Sequence, residues 1–229
     1  LREIILDTET TGLDPFDGHR VIEIGCVELV NSIATGRTWH CYLNPERDVP
    51  EQAYAVHGLS ADFLRDKPLF ADKADEFLDF VESAMLVMHN ATFDFGFLNA
   101  ELQRIARPIL TWDRVVDTLA LARRRHPGSP ASLDALCRRY GIDLCERDLH
   151  GALLDCRLLA SVYVELVGGH QARLEFAANG AQAAILQAQE IAVRPRPAPL
   201  AARISVEESE AHRAFVASLG SDALWLRYA

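Results

Sequence analysis

Apolar residues arrive first in short runs and later at helical spacing. Ile4-Ile5-Leu6-Asp7-Thr8-Glu9 and Val21-Ile22-Glu23-Ile24-Gly25-Cys26-Val27-Glu28-Leu29 read as strands, separated by a turn-rich segment from Gly12 to Gly18. A third strand is expected from Thr35 to Leu43, and the short link Asn31 to Ala34 makes the three an antiparallel meander. Phe70, Ala74, Phe77, Leu78 and Val81 then recur on one helical face, and Leu86-Val87-Met88 is a buried strand ending at His89-Asn90. Further helices are expected over Phe93 to Ile105, Val116 to Arg125, Ser132 to Tyr140 and Gly151 to Val167. Pro127-Gly128-Ser129-Pro130 divides two of them, and Ser132 is a cap. Strands first, then helices interrupted by further strand, predict an α/β layer rather than a βαβ repeat.

After Gly168-Gly169 the texture changes. Gln171 to Ala192 is rich in Ala and Gln, and Arg194-Pro195-Arg196-Pro197-Ala198-Pro199 fits neither a regular helix nor a central strand. Helical spacing resumes from Val206 to Leu219, before Trp225 and Tyr228. This divides the 229 residues into a domain over 1–169 and a linker with docking elements over 170–229.

Charge sharpens the division. Of 23 basic and 33 acidic residues, the tail from 170 holds six of each, so the whole net charge of −10 lies before it. No run approaches the roughly 18 to 20 apolar residues of a membrane span, and the chain enters a strand without a signal-like leader, which predicts a cytoplasmic protein. Cys26, Cys41, Cys137, Cys145 and Cys156 are odd in number and lack C-x-x-C spacing, so they read as reduced packing residues.

The candidate chemistry is carried by four carboxylates and a histidine: Asp7 and Glu9 in LDTETTGL, Asp94 in HNATFDFGFL, and His150 with Asp155 in HGALLD. In a strand Asp7 and Glu9 point to one face. Five residues apart, His150 and Asp155 would diverge by about 140° if both were helical, which favours His150 on a loop just before the helix. Each alone has a structural reading: a strand-end acid, a helix-starting acid, a capping histidine. Their joint occurrence points to hard divalent cations, which take several oxygen ligands and substrate phosphate oxygens besides.

Asp7-x-Glu9, Asn90-x-x-Phe93-Asp94 and His150-x-x-x-x-Asp155 resemble the three motifs of the DnaQ-like DEDDh 3′→5′ exonucleases, over roughly residues 2 to 168. Val56-His57-Gly58-Leu59, Ser132-Leu133-Asp134-Ala135-Leu136 and the Thr10-Thr11-Gly12 turn are similar to the proofreading branch that serves bacterial replicative polymerases. The resemblance implies a ribonuclease H-like fold, a mixed five-stranded sheet flanked by helices. It also implies two divalent ions, Mg²⁺ or Mn²⁺: Asp7 bridging, Glu9 and Asp155 nearer the attacking water, Asp94 supporting the second ion largely through water, and His150 accepting the water's proton. The expected activity is removal of mispaired 3′-terminal deoxynucleotides. An exonuclease trimming RNA ends and a non-catalytic polymerase-stabilising subunit are the alternatives.

Substrate contacts at the 3′-terminal nucleotide are expected from Asp7, Glu9, Thr10, Leu13, Gln52, His57 and Asp155, with Gly12 giving the freedom for a tight turn. Leu13 is either a wedge against the terminal base or core, and His57 either a nucleotide contact or a satisfied loop histidine. Phe93 and Phe97 read as core. Arg123-Arg124-Arg125 at a helix end is expected to complement the helix dipole rather than to track phosphates, and Arg138-Arg139 to belong to a solvated face. Gln171, Leu174 and Phe176, within residues 171–176, resemble the peptide with which polymerase subunits dock into the β sliding clamp, against a reading as the start of a helix. The tail is expected to reach the polymerase III α subunit. An acidic chain binds DNA weakly by itself, and tethering to such partners supplies an effective concentration that can reach roughly millimolar.

Overall fold

Ile4, Ile5 and Leu6 are wholly buried because β1 (Arg2–Thr10) is the middle strand of a sheet covered on both faces. The structure, a computed structural model, describes residues 1–144, 149–168 and 204–220. Its sheet has five strands in the order β3-β2-β1-β4-β5, with β2 Val21–Val30, β3 Ile33–Tyr42, β4 Met85–Met88 and β5 Val115–Asp117. β1, β2 and β3 pair antiparallel, while β4 runs parallel to β1 and β5 parallel to β4.

Residues of alternate parity on β1 and β4 feed two cores. Ile4, Leu6, Leu86 and Met88 face α3 (Phe70–Val81) and α4 (Ala91–Arg104), which contribute Phe70, Phe77 and Phe97. Ile5 and Val87 face the layer of α5 (Thr118–Arg125), α6 (Leu133–Tyr140) and α7 (Ala152–Val167), filled by Leu136, Leu159 and Val162. Two short helices, α1 (Glu51–His57) and α2 (Ala61–Leu64), link the meander to α3. Residues 175–229 make a second unit, within which α8 (Val206–Ser218) carries a capping box between Ser205 and Glu208. Among the described residues no helix is long and apolar enough to cross a membrane.

The mixed five-stranded sheet agrees with the expected fold, two local expectations are corrected, and two helices were not expected. The β2–β3 link is Asn31-Ser32 alone, both with positive φ (52° and 63°), a tight hairpin turn whose twist matches the strands and lets β3 start at Ile33. Val116 belongs to β5 and not to a helix; the β-branched Val115-Val116 pair adds to β4, and Asp117 then caps α5 by accepting from the Leu119 N–H. Helices α1 and α2 were not legible, because α1 buries only His57 and leaves no apolar stripe.

One close approach positions the site. A Cβ added at Gly25 would lie 2.4 Å from the Ala152 carbonyl carbon and 2.5 Å from Leu153 N. The Cys156 thiol also meets the Gly25 carbonyl at 3.1 Å. Gly25 pairs with Asp7 across β1 and β2, so the first turn of α7 rests beside the strand position that carries Asp7. Gly25→Ala should therefore destabilise the chain by about 1–3 kcal/mol, as overpacking against backbone does. Gly96→Ala in α4, where an added Cβ meets nothing within 4 Å, should be neutral or stabilising by up to about 1 kcal/mol. Denaturant unfolding of both variants checks the contrast.

Candidate active site

Because side chains alternate along β1, Asp7 and Glu9 follow Ile5 onto the face covered by α7. There they meet Asp155, buried in the first turn of α7, and His150, exposed on the segment just before it. Ligand atoms of Glu9, His150 and Asp155 all lie within 4.8 Å of one another. His150 Nδ1 is 3.1 Å from Asp155 Oδ2, and the His150 backbone N–H donates to the Val56 carbonyl at 3.2 Å, which ties its loop to α1.

Thr8, on the opposite face, recruits the fourth acid. Asp94 Oδ1 accepts from the Thr8 N–H at 3.0 Å and from the Thr8 hydroxyl at 2.7 Å, fixing the first turn of α4 against β1. The entry to α4 is held as firmly. Asn90 adopts a left-handed conformation (φ 65°, ψ 54°), its N–H donates to Asp117 at 3.2 Å, and Thr118 bonds both the Met88 carbonyl and His89 Nδ1.

These contacts bring four acids together at a cost. Burial raises the Asp7 carboxyl well above its ordinary value, and the charges of Asp94, Glu9, Asp155 and Glu23 raise it further. Burial lifts Asp94 to about 7 despite its two bonds from Thr8. Glu23, directly opposite Glu9 in the sheet, adds to this field and is held by His40 Nε2 at 2.7 Å. The oxygen-rich cluster fits divalent cations, whose charge would relieve this repulsion. A ring nitrogen of His150 lies within the same 4.8 Å as the ligand oxygens of Glu9 and Asp155, so His150 stands beside the acids that would hold an ion.

A cavity of about 660 Å³ opens beside Glu9 and gathers Thr10, Leu13, Gln52 and His57. Leu13 is 85% exposed, which removes the reading of it as core. His57 ends α1 and is buried; Nδ1 accepts from the Leu59 N–H at 3.0 Å, and Nε2, which faces the Thr10 backbone, makes no well-formed hydrogen bond among the described residues. Burial lowers its basicity first, and the His150 charge adds to that. Gly12 is corrected in its reason: its φ is ordinary, and what excludes a side chain is the His19 ring, 2.3 Å from an added Cβ. Phe93 packs on Phe97 with ring centroids 4.9 Å apart and also lines this cavity, beyond the purely core role expected.

Thr8 and Glu23 escaped the sequence reading, since a strand threonine and a strand glutamate carry no motif; only their parity relative to Asp7 and Glu9 marks them. Gln171, Leu174 and Phe176 lie outside the described residues.

A family model described as "Exonuclease" matches residues 4–163. The DNA polymerase III subunit epsilon of Rickettsia felis is 47% identical over 222 residues, covering 96% of this chain and 97% of that protein. The protein of the same name from Escherichia coli K12 is 45% identical, covering 98% and 97%. Among solved structures, the nuclease domain of 3′hExo, a DEDDh family member bound to rAMP, superposes with a TM-score of 0.62 at 19% identity, covering 72% of this chain and 91% of that one. Exonuclease X in complex with 5′ overhanging duplex DNA gives 0.56 at 25% identity, covering 72% and 90%.

The raised Asp94 carboxyl has a pH signature. Folded, it titrates near 7 instead of 3.8, so between those values the folded chain binds more protons than the unfolded one. Stability of the ion-free protein therefore falls as pH rises through that window, and the loss is complete above it. Asp94→Asn keeps an acceptor for Thr8 and removes the charge. In chelator at pH 8 the variant should melt several degrees above wild type, with a flatter profile between pH 4 and 7. Melting curves across that range decide it; a variant no more stable at pH 8 contradicts the assignment.

Proposed function

We propose, since the chain belongs to the exonuclease family, that it removes mispaired nucleotides one at a time from the 3′ end of DNA, as the proofreading subunit of a replicative DNA polymerase III. The observation that carries the reading is the convergence of Asp7, Glu9 and Asp155 with His150 in one cleft, with Asp94 locked to the same strand through Thr8. Similarity to proteins named for that subunit runs past the catalytic region, over 96% and 98% of the chain, and so favours this reading over a free-standing RNA trimmer.

Asp7, Glu9, Asp94 and Asp155 would hold two divalent ions, Mg²⁺ or Mn²⁺. When bound, such ions stabilise charge on the attacking and leaving oxygens of an in-line displacement. With Asp155 ionised, Nδ1–H of His150, 3.1 Å from Oδ2, donates to it, and that tautomer leaves Nε2 as the proton acceptor. His150 takes the proton of the attacking water, and the 3′ oxygen of the preceding nucleotide leaves with the electron pair of the broken P–O bond. Leu13 wedges against the terminal base, while Thr10, Gln52 and His57 grip its nucleotide. An exposed leucine and a buried Nε2 without a well-formed hydrogen bond among the described residues, at one cavity, support that assignment.

Residues 1–169 form the catalytic domain in this reading, and 170–229 the attachment, in the cytoplasm with the replication machinery. Gln171, Leu174 and Phe176 dock on the β sliding clamp, and the region of Phe215, Leu219 and Trp225 on the polymerase α subunit. Phe215 and Leu219 are exposed apolar side chains, which supports a docking role.

Asp7→Ala or Asp155→Ala should abolish digestion of a 3′-mismatched primer while leaving the ion-free protein folded. His150→Ala should lose about 10²- to 10⁴-fold in turnover with ion binding largely kept. Near-wild-type turnover in either aspartate variant contradicts the site, and loss of ion binding in His150→Ala makes it a ligand. Leu174→Ala with Phe176→Ala in the full chain should reduce clamp recovery in a pull-down without slowing digestion of short single strands. Unchanged recovery contradicts the clamp assignment.

A further inference from the structure

We propose that Arg123 binds the phosphate one nucleotide upstream of the bond that is cut, which makes the cleft beneath it the track of the retained strand; the inference rests on the exonuclease reading above. Two cavities flank the acidic cluster. One, beside Glu9, carries Leu13, Gln52 and His57. The other, about 810 Å³, is lined by Asp7, His150 and Asp155 and also by Asn90, Ser132 and Arg123. An enzyme that takes a nucleotide from a chain end holds that nucleotide on one side of the reacting phosphate and the remaining strand on the other. With the terminal nucleotide beside Leu13, the strand occupies the second cavity.

The strand brings a phosphate with every nucleotide into a region whose acids repel it. Arg123 is the only Arg or Lys among the described residues lining that cleft. Its side chain is exposed and makes no ion pair or hydrogen bond among the described residues, whereas Arg2, Arg20 and Arg107 are paired with Glu28, Glu101 and Asp75, and Arg125 donates to the Leu166 carbonyl. Asp134, also on the cleft wall, lies 4.0 Å from Arg138, which offsets its charge. Burial lowers the basicity of His89 on the same wall against the opposing charge of Asp117, and the Arg123 charge adds a smaller effect in the same direction as burial. A guanidinium left unpaired at the open side of a cleft is suited to bidentate contact with a phosphate.

A role limited to complementing the dipole of α5 would move stability and be shared with Arg124, which is exposed on the same last turn but does not line the cleft. The test uses full-length wild type, Arg123→Ala, Arg123→Lys and Arg124→Ala. Two substrates are compared: a single-stranded DNA oligonucleotide, and the p-nitrophenyl ester of thymidine 5′-monophosphate, which has a leaving group but no upstream phosphate. Fluorescence anisotropy of the labelled oligonucleotide in chelator gives a binding readout independent of turnover. Arg123→Ala should raise KM for DNA and weaken binding about tenfold, with kcat changed less than about threefold. Its slope of log binding against log salt should be shallower by about 0.7, and Arg123→Lys should restore that slope. The loss on DNA should exceed the loss on the ester at least fivefold, with Arg124→Ala following wild type. Equal losses on both substrates, an unchanged salt slope, or the same losses in Arg124→Ala overturn the assignment of Arg123. A wild-type chain that cleaves neither substrate overturns the exonuclease reading itself, and this inference with it.

Discussion

Helix α7 can rest on β2 at Gly25 only because that residue has no side chain, and the arrangement of the site follows from that contact. Asp155 sits in the first turn of α7 and Asp7 opposite Gly25, so the distance between two acids on different elements is set by backbone packed on backbone. Side chains of Leu159, Val162 and Leu166 then hold the rest of the helix on the sheet around Ile5 and Val87. The other face repeats the logic with a polar contact: Asp94 reaches Thr8 through two hydrogen bonds, and Phe97 and Leu102 seat α4 behind it. One strand, alternating in parity, thus collects acids from both layers.

What the packing gathers, electrostatics opposes. Burial pushes both Asp7 and Asp94 toward protonation, the charge of Asp94 adds to this at Asp7, and Glu23 behind Glu9 adds to the field. The protein holds this arrangement with a core that is apolar on both faces of the sheet, and leaves it to cations to relieve. The same logic bears on substrate. A chain with 33 acidic against 23 basic residues offers a polyanion few cations, so an arginine unpaired among the described residues matters more at the cleft than it would on a basic surface.

Legibility in the sequence followed the range of each signal. Strands β1, β2 and β4 and helices α3, α4, α6 and α7 were readable because each buries a periodic apolar face against the sheet or its neighbours. Asp7, Glu9, Asp94, His150 and Asp155 could be singled out as candidates because their local contexts are distinctive, and His150 lies on a loop ahead of α7, as expected. Helix α1 was not, since it buries one residue in seven, and β5 was not, since three residues carry no period. Thr8 was invisible for another reason: its partner is 86 residues away, a pairing fixed only when α4 docks. Gly25 read as one more small residue in a strand, and its necessity emerges only with α7 in place.

The central claim is that crowded carboxylates on β1, α4 and α7 form a site for divalent cations. Titration of the ion-free full-length protein with Mn²⁺ at pH 8, following the free-ion electron paramagnetic resonance signal, tests it most directly. The account predicts saturable uptake of two ions per chain, accompanied by a rise in melting temperature as the repulsion is relieved. Uptake no greater than that of an acidic protein surface, with the melting temperature unmoved, would contradict it.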